Sequence, residues 1–134
     1  MIVGERILEI SGKRATKGSV TGLNINIALE DVQKQGDIVE LTYVYTANYE
    51  ENFGQLRIKG VLLAREEEKV ANEILDTWKK GKKVPDGYAE TVLSAVNYSG
   101  SANGTLLARV MGLTAPLIPP RIQIAKKEGA PAKK

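Results

Sequence analysis

Three segments of the chain alternate polar and apolar residues with a period of two. Their apolar positions are Leu23, Ile25, Ile27 and Leu29, then Val39, Leu41, Tyr43 and Tyr45, then Leu56, Ile58 and Leu62. Because successive side chains of a strand point to opposite faces, this pattern predicts antiparallel strands with one buried face. A fourth strand is predicted before them, over residues 2–10, and the connection around Gly36 is suited to a hairpin.

From residue 66 the period of the apolar positions changes to that of an α-helix. The apolar stripe of this first predicted helix consists of Val70, Ile74, Leu75 and Trp78. Three glutamates at residues 66–68 and two lysines at residues 79–80 complement the helix dipole at its two ends. Gly81 follows directly and is placed to cap the C-terminus.

A second helix is predicted from about Tyr88, because Pro85 bars continuation of the first and Asp86 is placed to cap a new one. Its middle, residues 99–104, is a run of small residues with two glycines, each costing about 1 kcal/mol relative to alanine. Either the helix breaks there and another begins near Asn103, or it continues and the small residues let a helix or a sheet approach closely. The sequence favours the break.

The order of these elements predicts an α+β fold. We expect a four-stranded antiparallel meander followed by two helices packed on one face, with an extended C-terminal tail. A chain of 134 residues has the size of one domain, which we assign to residues 1–124. Residues 125–134 contain no large apolar side chain and are predicted to be a basic, disordered tail. Gly60 interrupts the last strand and predicts a bulge or the close approach of another backbone.

The positive charge of the chain is concentrated at its C-terminal end. The net charge is +3, but residues 117–134 hold five Lys or Arg against one Glu, so the preceding residues carry −1. Nucleic-acid-binding domains usually gather positive charge on the folded surface. The charge distribution therefore argues against nucleic-acid binding by the body of the protein.

The composition excludes several kinds of active site. The chain has no cysteine and no histidine, which rules out disulfides, thiolate sites, the usual zinc sites and His-based triads. The run at residues 99–104 lacks the spacing of a phosphate-binding loop. We therefore predict a protein without catalytic residues or cofactors; the less favoured alternative is a small enzyme that relies on carboxylates, lysine or tyrosine. The same composition, rich in Lys and Glu, is compatible with a thermophilic source.

The cellular location follows from what the sequence does not contain. No apolar run approaches the roughly 18–20 residues needed to span a bilayer, so no membrane insertion is expected. The first residues, Met-Ile-Val-Gly-Glu-Arg, lack the order of charges and apolar residues of a secretory signal. A cytoplasmic location is the resulting expectation.

Two surfaces are candidates for binding a ligand. Tyr43 and Tyr45 share a face with Leu41, and together with Trp78 they would form an apolar, aromatic surface for peptides; alternatively the tyrosines pack within the sheet. The second candidate is a cluster of lysines around the end of the first helix, Lys79, Lys80, Lys82 and Lys83. This lysine cluster is either a nucleic-acid patch or the charged end of a helix.

The element order over residues 1–124 resembles the SecB family of export chaperones. The ending Leu-Thr-Ala-Pro-Leu at residues 113–117, after the last helix, is loosely similar to that family as well. The resemblance implies a homo-oligomer that holds unfolded or newly made chains in apolar grooves. The basic C-terminal end differs from the acidic end of bacterial members, so no contact with the secretion ATPase is inferred.

The sequence thus predicts a non-catalytic binding protein. Its most concrete form is a SecB-like, ATP-independent holdase for unfolded or nascent polypeptides. The alternative is a nucleic-acid-associated protein that uses the lysine cluster and the basic tail.

Overall fold

The structure, a computed structural model, describes residues 1–15, 22–50 and 53–116. These residues form four strands, β1 (Ile2–Arg14), β2 (Leu23–Gln35), β3 (Ile38–Tyr49) and β4 (Gly54–Arg65), followed by the helices α1 (Glu68–Gly81) and α2 (Asp86–Met111). The predicted α+β class, with antiparallel strands preceding two helices, is confirmed. The tail predicted for residues 125–134 lies outside the described residues.

The strands lie in the order β1-β4-β3-β2, which differs from a simple meander. Only β2, β3 and β4 follow one another as neighbours, whereas β1 pairs with β4. Short connections make consecutive strands adjacent, and Gly36 supplies the positive φ of 64° that the β2–β3 turn requires. β1 and β2 therefore lie at opposite edges of the sheet, and no strand of the described residues pairs with their outer sides.

One face of the sheet carries the core. The pairing of β3 with β4 sets Leu41 opposite Leu62, Tyr45 opposite Ile58, and Ala47 opposite Leu56, and all these side chains are buried. Both helices add buried side chains to the same cluster, namely Ala71, Ile74, Trp78, Val92, Val96 and Ala108. The predicted buried face, and the packing of both helices on it, are therefore observed.

The opposite face of the sheet carries ion pairs. They join Arg6 to Glu40 at 3.1 Å, Arg57 to Glu9 at 3.2 Å, and Lys59 to Glu30 at 3.2 Å. Pairs this exposed contribute at most about 1 kcal/mol each to stability. The same face also carries Val44 and Val61, which are buried although they lie opposite the helices.

Gly60 is the site of a close approach, as its position in the strand predicted. A Cβ atom there would lie 2.7 Å from Tyr43 Oη and 2.9 Å from the carbonyl oxygen of Arg6. The neighbouring strand is irregular at the same place, because the register of β1 shifts between Ile7 and Glu9. The missing side chain thus makes room for the Tyr43 ring.

Helix α2 runs without interruption through residues 99–104, so the favoured break is wrong. Its small residues face the sheet: Ser99, Gly100 and Gly104 are buried. A Cβ atom on Gly100 would lie only 2.2 Å from Cδ2 of Tyr45. Close packing on the sheet offsets the low helix propensity of glycine, since tertiary contacts commonly override propensity.

The helix ends differ from the sequence prediction by a few residues. Helix α1 begins at Glu68, and its C-cap is Lys82, with φ 56°, whereas Gly81 is still helical. Helix α2 begins at Asp86 with Pro85 as N-cap, and no side chain caps it. Capping patterns identify the region of a helix end more reliably than the residue.

Two glycine substitutions in α2 test this packing. Gly100→Ala should lower the free energy of unfolding by about 2 kcal/mol or more, because the new methyl group overlaps the Tyr45 ring. Gly87→Ala is the matched control: a Cβ there meets nothing within 4 Å, so the better helix propensity should raise stability by up to about 1 kcal/mol. Urea unfolding measures both, and equal stability of the two variants would contradict the packing described.

Candidate functional site

The four residues predicted to bind peptide lie together in the core. Leu41, Tyr43 and Tyr45 are fully buried, and Trp78 is nearly so. Helix α2 covers the face on which the tyrosines lie, which agrees with the alternative in which they pack within the sheet. A ligand on the surface of this chain would not touch these side chains, so a binding surface must be sought among other residues.

A hydrogen-bonded cluster joins α2 to β1 and β3. The Tyr43 hydroxyl donates to the Glu5 carboxylate, and Ser99 Oγ lies 2.7 Å from both oxygens of that carboxylate. Asn103 Nδ2 donates to the Ser99 carbonyl oxygen at 3.0 Å and to its hydroxyl at 3.1 Å. Burial, together with the hydrogen bond to Glu5, raises the pKa of Tyr43 above its ordinary value. The cluster fixes the position of α2 over the β1 side of the sheet.

Tyr45 is buried differently from Tyr43. Its hydroxyl and that of Ser101 make no hydrogen bond of normal geometry among the described residues. Burial raises the pKa of Tyr45, and the nearby Ser101 hydroxyl offsets part of that rise. A buried polar group without a partner costs about 1–3 kcal/mol, so the Tyr45 ring, rather than its hydroxyl, is what stabilises the core.

The edge strand β2 carries a row of half-buried apolar side chains on the helix side. This row, hereafter the β2 row, consists of Leu23, Ile25, Ile27 and Leu29. Its members pair across the sheet with the buried residues Tyr49, Ala47, Tyr45 and Tyr43 of β3. Farther along the strand Val32 is buried, where β2 approaches α1. The β2 row is therefore an apolar strip, with side chains about 7 Å apart along the strand, on an open edge.

The other edge of the sheet has a more exposed apolar surface. This surface, hereafter the β1 patch, consists of Ile7, Leu8, Ile10, Leu106 and Val110, which are between 39% and 83% exposed. Exposed apolar residues are ordinary when scattered, but a contiguous group next to a strand edge indicates an interaction surface.

Two contacts show that the helical and strand parts of the β1 patch adjoin. Ser99 contacts Glu5, and a Cβ atom on Gly12 would lie 3.4 Å from Met111 Cγ and 3.6 Å from Leu107 Cγ. The second half of α2 therefore runs beside β1 and in the same direction. Leu106 and Val110 follow Ser99 at seven and eleven residues, so they lie on the same side of the helix. At Ser99 that side faces Glu5 of β1, and Leu106 and Val110 remain exposed.

The lysine cluster is the exposed end of α1. Lys79, Lys80, Lys82 and Lys83 are all exposed. Lys82 Nζ lies 5.6 Å from the centroid of the Trp78 ring, whose side chain belongs to the core. These positions account for the lysines as dipole-complementing residues at a helix end.

A cavity of about 600 Å³ lies where β1 meets the end of α2, with Gly12, Arg14 and Met111 in its wall. The Arg14 guanidinium donates to the Gly112 carbonyl oxygen at 2.5 Å and stacks 4.9 Å from the Phe53 ring centroid. The arginine thus holds the C-terminal end of α2, where a positive charge also complements the helix dipole.

Comparisons with known proteins add no assignment: no family model matches the sequence, and no curated protein matches it. Among the described residues, no group of three or more His, Cys, Asp or Glu side chains is arranged to hold a metal ion. Neither helix in the described part of the chain is long and apolar enough to cross a membrane.

The two buried tyrosines give opposite expectations for removal of the hydroxyl group. Tyr43→Phe should cost about 1–2 kcal/mol, because it removes a hydrogen bond to a carboxylate. Tyr45→Phe should be neutral or stabilising by up to about 1 kcal/mol, because its hydroxyl has no partner among the described residues. Urea unfolding of the two variants checks this, and a larger loss for Tyr45→Phe would be inconsistent with the cluster described.

The tyrosines also predict a loss of stability in alkali. Burial raises the pKa of Tyr43, Tyr45, Tyr49 and Tyr88. The unfolded state therefore loses the phenol proton at a lower pH than the folded state. The contribution of each tyrosine to the free energy of unfolding is complete below the unfolded pKa near 10 and decreases as the pH rises above that value. The free energy of unfolding, measured between about pH 8 and about pH 11, should fall in the upper part of this range. Tyr88→Phe should reduce that pH dependence, and an unchanged slope would exclude Tyr88 as a contributor.

Proposed function

We propose that the protein is a non-catalytic holdase, similar to SecB, that binds unfolded or nascent polypeptides without ATP. The observation that carries this proposal is the β2 row, an alternating apolar strip on a strand edge that no other described strand pairs with. An extended polypeptide can use both features at once. Its backbone hydrogen-bonds to the free edge of a strand, while alternate side chains contact the apolar strip.

The composition of the β2 row favours broad selectivity. Its four members are aliphatic and are already half-buried, so each offers only part of its apolar surface to a ligand. Burial of apolar surface contributes about 25 cal/mol per Å², from which the cost of ordering the ligand must be subtracted. Binding would therefore need several apolar side chains in register, a condition that unfolded polypeptides meet more often than folded ones.

The alternative function, nucleic-acid association, finds less support in the described residues. The lysine cluster is accounted for by its place at the end of α1, and the ion-paired face of the sheet carries charges of both signs. Salt dependence separates the two functions, because phosphate binding weakens steeply with salt whereas apolar burial does not.

Aggregation of a denatured model protein tests the holdase proposal. The wild-type chain should suppress light scattering without ATP, and the suppression should persist at high salt. Ile25→Ser and Ile27→Ser should each reduce it at least about threefold at a fixed ratio, because each removes apolar surface from the β2 row. Asn26→Ser is the matched control, since Asn26 is exposed on the same strand between them, and it should suppress like the wild type.

Stability must be measured beside activity, because Ile25 and Ile27 also pack against the core. Thermal melts of all three variants identify any loss of fold, and the informative result is reduced suppression with most of the chain still folded at the assay temperature. No suppression by the wild type at any ratio would refute the holdase proposal. Suppression that disappears at high salt would favour a charged ligand instead.

A further inference from the structure

We propose that the lysine cluster binds acidic residues of the same unfolded polypeptides whose apolar segments contact the β2 row. The preferred ligand is then a chain in which an apolar segment and an acidic segment follow each other closely. This inference rests on the proposed holdase function and specifies its ligand. The apolar contacts and the charged contacts use different residues, so each can be tested without the other.

The positive charge of the lysine cluster is not neutralised by its surroundings. Its four side chains lie within five residues and are exposed, and none takes part in an ion pair among the described residues. The C-terminal end of a helix carries about half a negative charge, and Asp76 lies one turn before the cluster. A surplus of more than two positive charges remains, which attracts a ligand with several negative charges.

The end of α1 holds a lysine in a backbone conformation that favours glycine. Lys82 is the C-cap of the helix, with φ 56°, although Gly81 directly before it is still helical. It is the only non-glycine residue with a positive φ among the described residues. A left-handed backbone disfavours a residue with a side chain, and strain of this kind is concentrated at functional positions. A lysine is expected here when its side chain is what the position requires.

The lysine cluster is presented on a short connection that is anchored at both ends. The Lys82 backbone N–H donates to the Trp78 carbonyl oxygen at 2.8 Å, and the Lys82 ammonium lies 5.6 Å from the centroid of the Trp78 ring. Trp78 before the connection and Val84 within it are both buried in the core. Charges that are held in place in this way lose little entropy when they bind a partner.

The helix that ends in the lysine cluster packs on the strand that carries the β2 row. Among the strands, α1 packs chiefly against β2. A helix of 14 residues is about 21 Å long, and about eight residues of an extended polypeptide span about 26 Å. One unfolded chain can therefore contact the β2 row and the lysine cluster at the same time.

An acidic polypeptide fits this combination better than a nucleic acid. Residues 1–116 carry a net charge of −1, which disfavours a continuous line of phosphates across the body of the protein. The β2 row offers aliphatic side chains at alternate positions, which match the side-chain spacing of an extended polypeptide. Only a polypeptide supplies alternating apolar side chains together with a local group of negative charges.

Two peptides that differ only in charge test the proposal. Each has an alternating apolar segment, a flexible Gly-Ser spacer of about eight residues and four final residues that are all glutamate or all glutamine. The glutamate peptide should bind the wild-type chain about tenfold more tightly at low salt, because four exposed charge contacts each add a small factor. The two affinities should converge at about 0.5 M salt. Ile25→Ser should weaken both peptides, since both use the β2 row.

A matched pair of charge reversals locates the charged contact. Lys82→Glu should weaken the glutamate peptide about tenfold and leave the glutamine peptide unchanged. Lys13→Glu makes the same change of charge at an exposed residue on β1, at the opposite edge of the sheet, and should affect neither peptide.

Two further measurements separate binding from folding. Lys82→Gly should weaken the glutamate peptide about threefold without lowering the melting temperature, because glycine adopts the left-handed conformation freely. Trp78 is the only tryptophan of the chain, and it lies beneath Lys82. Its fluorescence should therefore change when the glutamate peptide binds, and this change should be absent in Lys82→Glu.

Equal binding of the two peptides at low salt, or equal effects of Lys82→Glu and Lys13→Glu, would overturn this proposal and leave the holdase function standing. Binding of neither peptide would refute both. A glutamate peptide whose affinity is unchanged by Ile25→Ser would overturn the joint use of the two surfaces. A single-stranded oligonucleotide that binds more tightly than the glutamate peptide, and loses this binding in Lys82→Glu, would overturn the proposal in favour of a phosphate ligand.

Discussion

The structure depends on how closely α2 approaches the sheet at Gly100. The Tyr45 ring occupies the space that a side chain at this position would need. This contact lets a helix of 26 residues lie flat on the sheet and bury the tyrosine-rich face of β3. The hydrogen bonds from Ser99 to Glu5 then fix the helix over the β1 side. A bulkier residue at position 100 would lift the helix and open the core beneath it.

Two helices on one face cannot cover a four-stranded sheet evenly. The central strands β3 and β4 are buried on the helix side, whereas most apolar side chains of the two edge strands remain partly exposed; Val32 of β2 is buried. The core explains the fold, but the surfaces available for binding are those that the helices leave open. They are the β2 row at one edge and the β1 patch at the other. This uneven coverage follows from the strand order, which places β1 and β2 at the outside.

The sequence predicts well which residues share a face of this sheet, but it predicts poorly which strands are neighbours. A period of two determines which side chains share a face, and the buried rows of β3 and β4 follow it. It does not determine which strand lies at an edge, so the sequence left both a surface position and a core position open for Tyr43 and Tyr45. Aromatic residues are common in binding surfaces, but their large apolar area also favours their burial in a central strand. The β2 row has the same alternation and became a candidate only when the strand order was known.

The predicted break in α2 was wrong for a related reason. The low helix propensity of Gly100 and Gly104 is a local property, but the packing that overrides it joins residues far apart in sequence.

The two edges differ in a way that suits different partners. β1 combines exposed aliphatic residues with Arg6 and Glu9 on the opposite face, where each forms an ion pair within the chain. The apolar members of the β2 row are all on one face and are aliphatic, without a comparable pattern of opposite charges among them, so they favour no particular sequence beyond apolar alternation. Specificity requires features that reject wrong partners as well as contacts with the right one. The paired charges of β1 supply such a feature, since a like charge opposite either of them is unfavourable. The β2 row supplies little discrimination of this kind, which is what a surface for varied unfolded chains requires.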